Sequence, residues 1–243
     1  YKRQDLDGWV DTPGLQAVVE IGSGLTVEEL SSAAPEVLLV AVDHPVATPS
    51  DRLSTVGLYE ARHDQAGFLA GVMTGLASQS WVVASITGGG EHDAVYQAAF
   101  ERGLKYGCPR CWPEMVGALG ATADELVSGR VDAVFIAPGA GQLSSSFVTT
   151  GFLWFVYVQE APPALSPDRI AGHVIFDSQP LVLEALEGLL AGEGGRAWPY
   201  AIDNGSMLLG SLNPEGISPG RQRLLEEAFE LLASGELDVG AED

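Results

Sequence analysis

Basic side chains are scarce in this chain: 12 Lys and Arg stand against 33 Asp and Glu in 243 residues, a formal net charge of −21. Phosphate backbones are held by clustered Lys and Arg, so this balance excludes a nucleic-acid polymer as partner and disfavours an anionic membrane surface. One small phosphate or a nucleoside stays open, because a local site overrules a global field. Cysteine is as sparse, with Cys108 and Cys111 in a single CPRC. Neither a second CxxC nor a His pair lies at zinc spacing, so no metal is expected. The pair follows a helical pattern, whereas thiolate activation uses a helix N-terminus, which disfavours thioredoxin-type chemistry. What is left is a local disulfide closing the loop, or two quiet thiols.

Catalytic signatures are missing too. Of the four histidines, His44, His63, His92 and His173, none falls in HExxH or beside a GxSxG elbow. GGGEHD at 88 to 93 is not the GxGxxG of a dinucleotide site, and no GxxxxGK[ST] follows it. Neither NAD chemistry nor nucleotide hydrolysis is read here, and no cofactor is expected. His92 and Asp93 beside Glu91 are of the right types for acid–base work. An Asp at a helix start is more simply a cap or a dipole partner, and Ser23 in a glycine loop is a backbone-dipole contact before it is a nucleophile. No catalytic residue is assigned, and a binding protein is favoured over an enzyme. No apolar run reaches bilayer length, and Tyr1-Lys2-Arg3 does not open a basic-then-apolar signal segment.

What the chain does have is 46% hydrophobic residues, enough to core one large domain or two modest lobes. Short apolar runs, mostly β-branched, predict strands at 17–21, 37–42, 55–58, 81–87, 114–116, 133–137, 154–158, 173–176 and 206–210. Helices fall between them at 26–33, 64–77, 93–106, 122–128, 180–191 and 220–234. Thr26 with Glu29 fits a capping box, and Ser178 before Pro180 fits a helix start. Strand and helix alternate almost throughout, so βαβ units and parallel sheets dominate. Gly67, Gly71 and Gly75, at i, i+4 and i+8 of one helix, predict close packing of that helix on a sheet, the flanking polar residues and short length arguing against a membrane dimer.

Three glycine loops follow predicted strands: Gly22-Ser23-Gly24, Gly88-Gly89-Gly90-Glu91 and Pro138-Gly139-Ala140-Gly141. In parallel α/β sheets such loops open on the edge where ligands bind, and glycine lets backbone N–H groups face a ligand with no Cβ in the way. The same glycines also serve a tight strand-to-helix connection that binds nothing.

FLAGVMTGLASQSWVVASITGGGEHDAVYQAAFERGLKYG, AVVEIGSGLTVEEL followed by APEVLLVAVD, and NGSMLLGSLNPEGISPGRQRLLEEAFELLASGELDV together resemble the basic membrane protein family, the substrate-binding lipoproteins of ABC transporters that include purine-nucleoside receptors. The likeness runs from about Leu15 to Val239. It implies a type I periplasmic-binding-protein-like fold of two doubly wound α/β lobes with a hinge. Residues 1–79 and 173–213 would form lobe one, and 80–172 with 214–243 lobe two, with crossings near Ser80, Gly172 and Asn213. Family members open with a strand, helix, strand and helix before the segment matching Gln16 to Leu25, so lobe one is expected either to lack its front part in this chain or to be reduced.

The resemblance also implies a function. An extracytoplasmic, lipid-anchored receptor would capture a small polar metabolite, a nucleoside by first expectation, between its lobes and present it to a membrane permease. A sensory or scaffold protein of the same fold, without cargo, is the alternative. The ligand-binding residues expected are Gly22, Ser23, Gly24, Gly89, Gly90, Glu91, Gly139, Gly141, Glu160, Phe176 and Asn204. Glu91 is the nearest match to the family's ribose-holding acid, and Asn204 replaces an acid by an amide. Val158 stands where another acid belongs, with Glu160 nearby, and Phe176 stands where a lysine enters the cleft. These departures predict weak binding of purine nucleosides.

Overall fold

The computed structural model describes residues 12–21, 27–44, 47–57, 61–116, 126, 128–140, 153–159 and 165–240. The chain divides into two compact units, the first of residues 1–62 and 177–206, the second of residues 63–176 and 207–243.

In unit one, β1 (Ala17–Ile21), β2 (Leu38–Val42), β3 (Leu53–Gly57) and β9 (Ala197–Pro199) form a four-stranded sheet in the order β1-β2-β3-β9, parallel throughout. Helix α1 (Val27–Ala33) closes one face through Val27 and Leu30, which pack on Leu39, Ala41 and Leu53. Helix α4 (Gln179–Leu190) packs on β2 and β3. It starts beside Ser178, as the sequence predicts, but the capping acceptor is Asp177, whose Oδ1 takes the Gln179 N–H at 2.9 Å. Strand β9 is absent from the sequence-based expectation. Its three residues, Ala-Trp-Pro, end in a proline that removes a ladder donor and erases the strand signal.

Unit two holds β4 (Val82–Ile86), β5 (Trp112–Val116), β6 (Ala133–Ile136), β7 (Trp154–Val158), β8 (Ile170–Phe176) and β10 (Met207–Leu209), ordered β10-β8-β7-β6-β4-β5. All pairings are parallel except β10 with β8. One face carries a core of Ile86, Val134, Ile136, Phe155 and Tyr157. On the other lies α2 (His63–Ala77), which is buried along its whole length. It packs on α3 (Asp93–Gly107), on the central strands and on α5 (Pro219–Ala233).

The glycine stripe of α2 faces α3, and this corrects the expectation that it meets a sheet. A Cβ at Gly67 would press on the Tyr96 carbonyl, one at Gly71 would overlap the Phe100 carbonyl, and one at Gly75 would press on Cys108. Gly103 and Gly107 of α3 return the contact against Phe68 and Val72. Small residues on both helices let the backbones approach until dispersion contacts are made main chain to main chain. This packing also explains why α2 belongs to unit two, so that the unit boundary falls after Arg62 and not near Ser80. The other boundaries follow Phe176 and Ser206, because β8 and β10 are hydrogen-bonded into the second sheet.

Cys108 and Cys111 form a disulfide at the end of α3, with Cα atoms 5.3 Å apart. Cys111 is buried. Of the expected helix at 122–128, only Leu126 and Ser128 lie among the described residues, and both are helical. Thr26 of the expected capping box lies outside them.

Candidate functional site

In unit two, β4 and β6 are parallel neighbours, so their C-terminal ends deliver two glycine loops to one edge of the sheet. The loops touch. A Cβ at Gly88 would overlap the carbonyl of Gly139, and Gly139 itself sits at φ +76° and Gly89 at φ +80°, in the left-handed region that glycine alone adopts without cost. The N–H groups of Gly89 and Gly90 are donated to Asp93 Oδ2, at 2.6 and 2.9 Å. Asp93 therefore organises the loop and takes up two of the donors that the sequence offered to a ligand. Glu91 is exposed beside them.

Behind the loop lies a constellation that the sequence reading left unassigned. His63, the first residue of α2, stacks on His92, the residue before α3, with ring centroids 4.0 Å apart and planes 23° from parallel. His63 Nδ1 is 3.0 Å from the Tyr96 hydroxyl, in a buried hydrogen bond. Burial, and then the charge of Asp93, push the Tyr96 hydroxyl pKa well above its ordinary 10.0, so the group stays neutral. One signal was available in the sequence. His44, His63 and His92 each follow a strand or open a helix, at the ligand edge of a parallel sheet, whereas His173 lies within β8.

Unit one has its own polar edge. Glu20, buried near the end of β1, has Oε2 2.5 Å from Nε2 of His44, two residues beyond β2. Asp43, the residue before His44, takes φ +56°, and its N–H bonds the Val56 carbonyl at 2.7 Å. Tyr200, fully buried, has its hydroxyl pKa raised by burial first and then by the charge of Asp43, with a hydrogen bond from Ser178 opposing.

The structure brings Gly89, Gly90, Glu91 and Gly139 together at the unit-two edge. Phe176 is the last residue of β8, half-buried and opposite Met207. Asn204 lies in unit one with both ends of its amide used internally. Its Nδ2 donates to the Pro199 carbonyl at 2.8 Å, and its Oδ1 accepts from the Ser206 N–H at 3.1 Å and from the Ser206 hydroxyl at 2.5 Å. That side chain braces its own turn. Gly22, Ser23, Gly24, Gly141 and Glu160 lie outside the described residues. Among the described residues no group of three or more His, Cys, Asp or Glu is placed to hold a metal ion, and no helix is long and apolar enough to cross a membrane.

The fold is similar to that of an ABC transporter solute-binding protein from Conexibacter woesei, with a TM-score of 0.68 and 20% identity over 90% of this chain and 78% of that one. It is likewise similar to a transcriptional activator of the comK gene from Bacillus halodurans (TM-score 0.71, 14% identity, 96% of this chain and 83% of that one). An ABC transporter solute-binding protein from Aeropyrum pernix K1 gives a TM-score of 0.63 at 14% identity over 99% and 81% of the two chains. No family model matches the chain, and no curated protein is similar to it. The architecture is that of the type I periplasmic binding proteins, built from α/β units with parallel sheets.

Proposed function

We propose that the chain is the extracytoplasmic solute-binding component of an ABC importer, which captures a small polar metabolite and presents it to a membrane permease. The observation that supports this most is the meeting of the Gly88 and Gly139 loops at the C-terminal edge of the unit-two sheet, where ligands lie in open parallel α/β sheets. The resemblance to the basic membrane protein family adds a lipid anchor and a nucleoside-like solute to the proposal. Ligand binding in such receptors shifts an equilibrium between conformations that a permease distinguishes.

The edge also indicates which solutes fit. Two loop N–H groups are already given to Asp93, while Glu91 stands free of them and exposed, so the loop offers acceptors and negative charge. A ligand rich in hydroxyl or amino donors meets that edge, and an organic phosphate or dicarboxylate is repelled by it. Purine nucleosides themselves are expected to bind weakly. With Phe176 at the lysine position and Asn204 engaged in its own turn, two charge-assisted hydrogen bonds of about 1.5–3 kcal/mol each are lost. That is roughly two to four powers of ten in affinity.

Native mass spectrometry of the purified chain, followed by a thermal-shift screen of sugars, amines, nucleosides, amino acids and phosphate esters, tests the proposal. A one-to-one complex with a polar, donor-rich solute supports it; a panel without any binder, or turnover of the bound compound, removes it.

A further inference from the structure

The turn that ends unit one carries a reactive pair that solute binding does not use. The chain has two asparagines, Asn204 followed by Gly205 and Asn213 followed by Pro214. In an Asn–Gly pair the glycine nitrogen can attack the asparagine side-chain amide, because glycine has no Cβ to crowd the five-membered ring that forms. Pro214 has no N–H, so Asn213 lacks that path. Loss of the side-chain amide is one reason asparagine counts among the thermolabile residues.

In the folded turn each group that must move is tied. The attacking nitrogen, that of Gly205, donates its N–H to the Ile202 carbonyl at 3.0 Å. The Asn204 amide, which must rotate toward it, is held at both ends. Its Nδ2 donates to the Pro199 carbonyl at 2.8 Å, and its Oδ1 accepts the Ser206 N–H at 3.1 Å and the Ser206 hydroxyl. Ser206 is 0% exposed, and its Oγ also accepts the Ala201 N–H at 3.0 Å, which fastens the end of the turn to its beginning. Water is close by, since Asp203 and Gly205 on either side of Asn204 are exposed. Gly205 sits at φ +73° with nothing within 4 Å of the place a Cβ would take.

We propose that Asn204–Gly205 is a deamidation site gated by conformation, silent while the turn is closed and reactive each time it opens. Water is the only co-reactant. The Gly205 nitrogen bonds to Asn204 Cγ, the Cγ–Nδ2 bond breaks, and ammonia leaves with the proton that the Gly205 nitrogen gives up. Water then opens the cyclic imide, to aspartate if the new bond breaks and to isoaspartate if the original peptide bond breaks. Neither product remakes the turn. An aspartate has no donor for the Pro199 carbonyl and sets a charge against it, and isoaspartate lengthens the main chain by a methylene. A transient opening is thereby made permanent, beside the Asp177 N–H that bonds the Ser206 carbonyl at 2.8 Å and where the chain passes from unit one to unit two.

Tryptic mass spectrometry of the whole chain, incubated in mildly alkaline buffer with and without guanidinium chloride, tests this. Residues 197–221 form one peptide that carries both asparagines. In denaturant Asn204 should convert to aspartate and isoaspartate about tenfold faster than in the folded chain, or more, because 1.4 kcal/mol of opening free energy already protects tenfold. Asn213 should stay intact in both. Ser206→Ala loosens the turn and leaves the Asn–Gly pair unaltered, so it should convert faster than the parent when folded and at the parent's rate in denaturant. Equal rates for the folded and denatured parent overturn the proposal, as does an Asn204 that survives in denaturant. A Ser206→Ala chain that circular dichroism shows to be folded, and that converts no faster than the parent, also overturns it; if that variant unfolds, the parent comparison decides alone.

Discussion

Gly88 and Gly139 meet main chain to main chain at the ends of two parallel strands, so closely that the first side-chain carbon on Gly88 would occupy the position of the Gly139 carbonyl. Such an approach leaves no room for adjustment by rotamer, because backbone is on both sides.

Gly88→Ala is therefore expected to destabilise the protein by about 1–3 kcal/mol through overpacking and backbone shift. Gly90→Ala, whose new methyl would meet only the Asp93 carboxylate at 3.4 Å, is expected to stay within about 0.5 kcal/mol of the parent. Urea titration of both variants checks this, and equal losses would show that the loops do not touch.

Asp93→Ala removes the acceptor of the Gly89 and Gly90 N–H groups. Charge-assisted bonds of this type contribute about 1.5–3 kcal/mol each at most, less where water replaces the acceptor. A loss of about 1–2 kcal/mol is expected, together with faster hydrogen exchange at residues 89 and 90.

Two groups set opposite pH limits. Burial raises the Tyr96 pKa above 10.0, so the stability it contributes is complete below pH 10 and is lost as pH rises beyond it. Burial lowers the His173 pKa below 6.5; its Nδ1 is enclosed without a hydrogen-bond partner among the described residues, and its ring stacks on Tyr157 at 4.8 Å. The stability that His173 contributes is present above pH 6.5 and is lost as pH falls below it. Melting curves from pH 4.5 to 11 should show both declines. His173→Phe should flatten the acid one and Tyr96→Phe the alkaline one, and unchanged slopes would contradict the assignments.

Reducing the disulfide between Cys108 and Cys111 releases a loop of only four residues. Loop-closure entropy sets the expected loss at about 2 kcal/mol. Chemical denaturation with and without a phosphine reductant measures it.

Most of the fold was legible because its signals are local. The runs 17–21 and 154–158 are strands as bounded by the sequence, and α3 and α5 differ from the expected spans by a residue at each end or less. What escaped was long-range. Nothing in HDQAGFLAGVMTGLA says whether its glycines meet a sheet or the helix 30 residues on, and the β9 tripeptide acquires strand geometry only by pairing with β3. The site was half legible for the same reason. Glycine at strand ends can be read from spacing, and Gly89, Gly90, Glu91 and Gly139 do converge. The roles of Asp93 and Asn204 as internal braces, and the pairing of Glu20 with His44 and of His63 with His92, depend on partners far apart in sequence.

The central claim is that a solute binds at the strand-end loops of unit two, and isothermal calorimetry on the parent chain and on Glu91→Ala tests it most directly. Titrated with pentoses, polyamines, adenosine, guanosine and inosine, the parent should bind one donor-rich solute at micromolar affinity or tighter and the purine nucleosides far more weakly. Glu91→Ala should lose at least tenfold for that solute with its melting temperature unchanged. Nanomolar binding of a purine nucleoside, or a ligand whose affinity is the same in Glu91→Ala, would contradict the account.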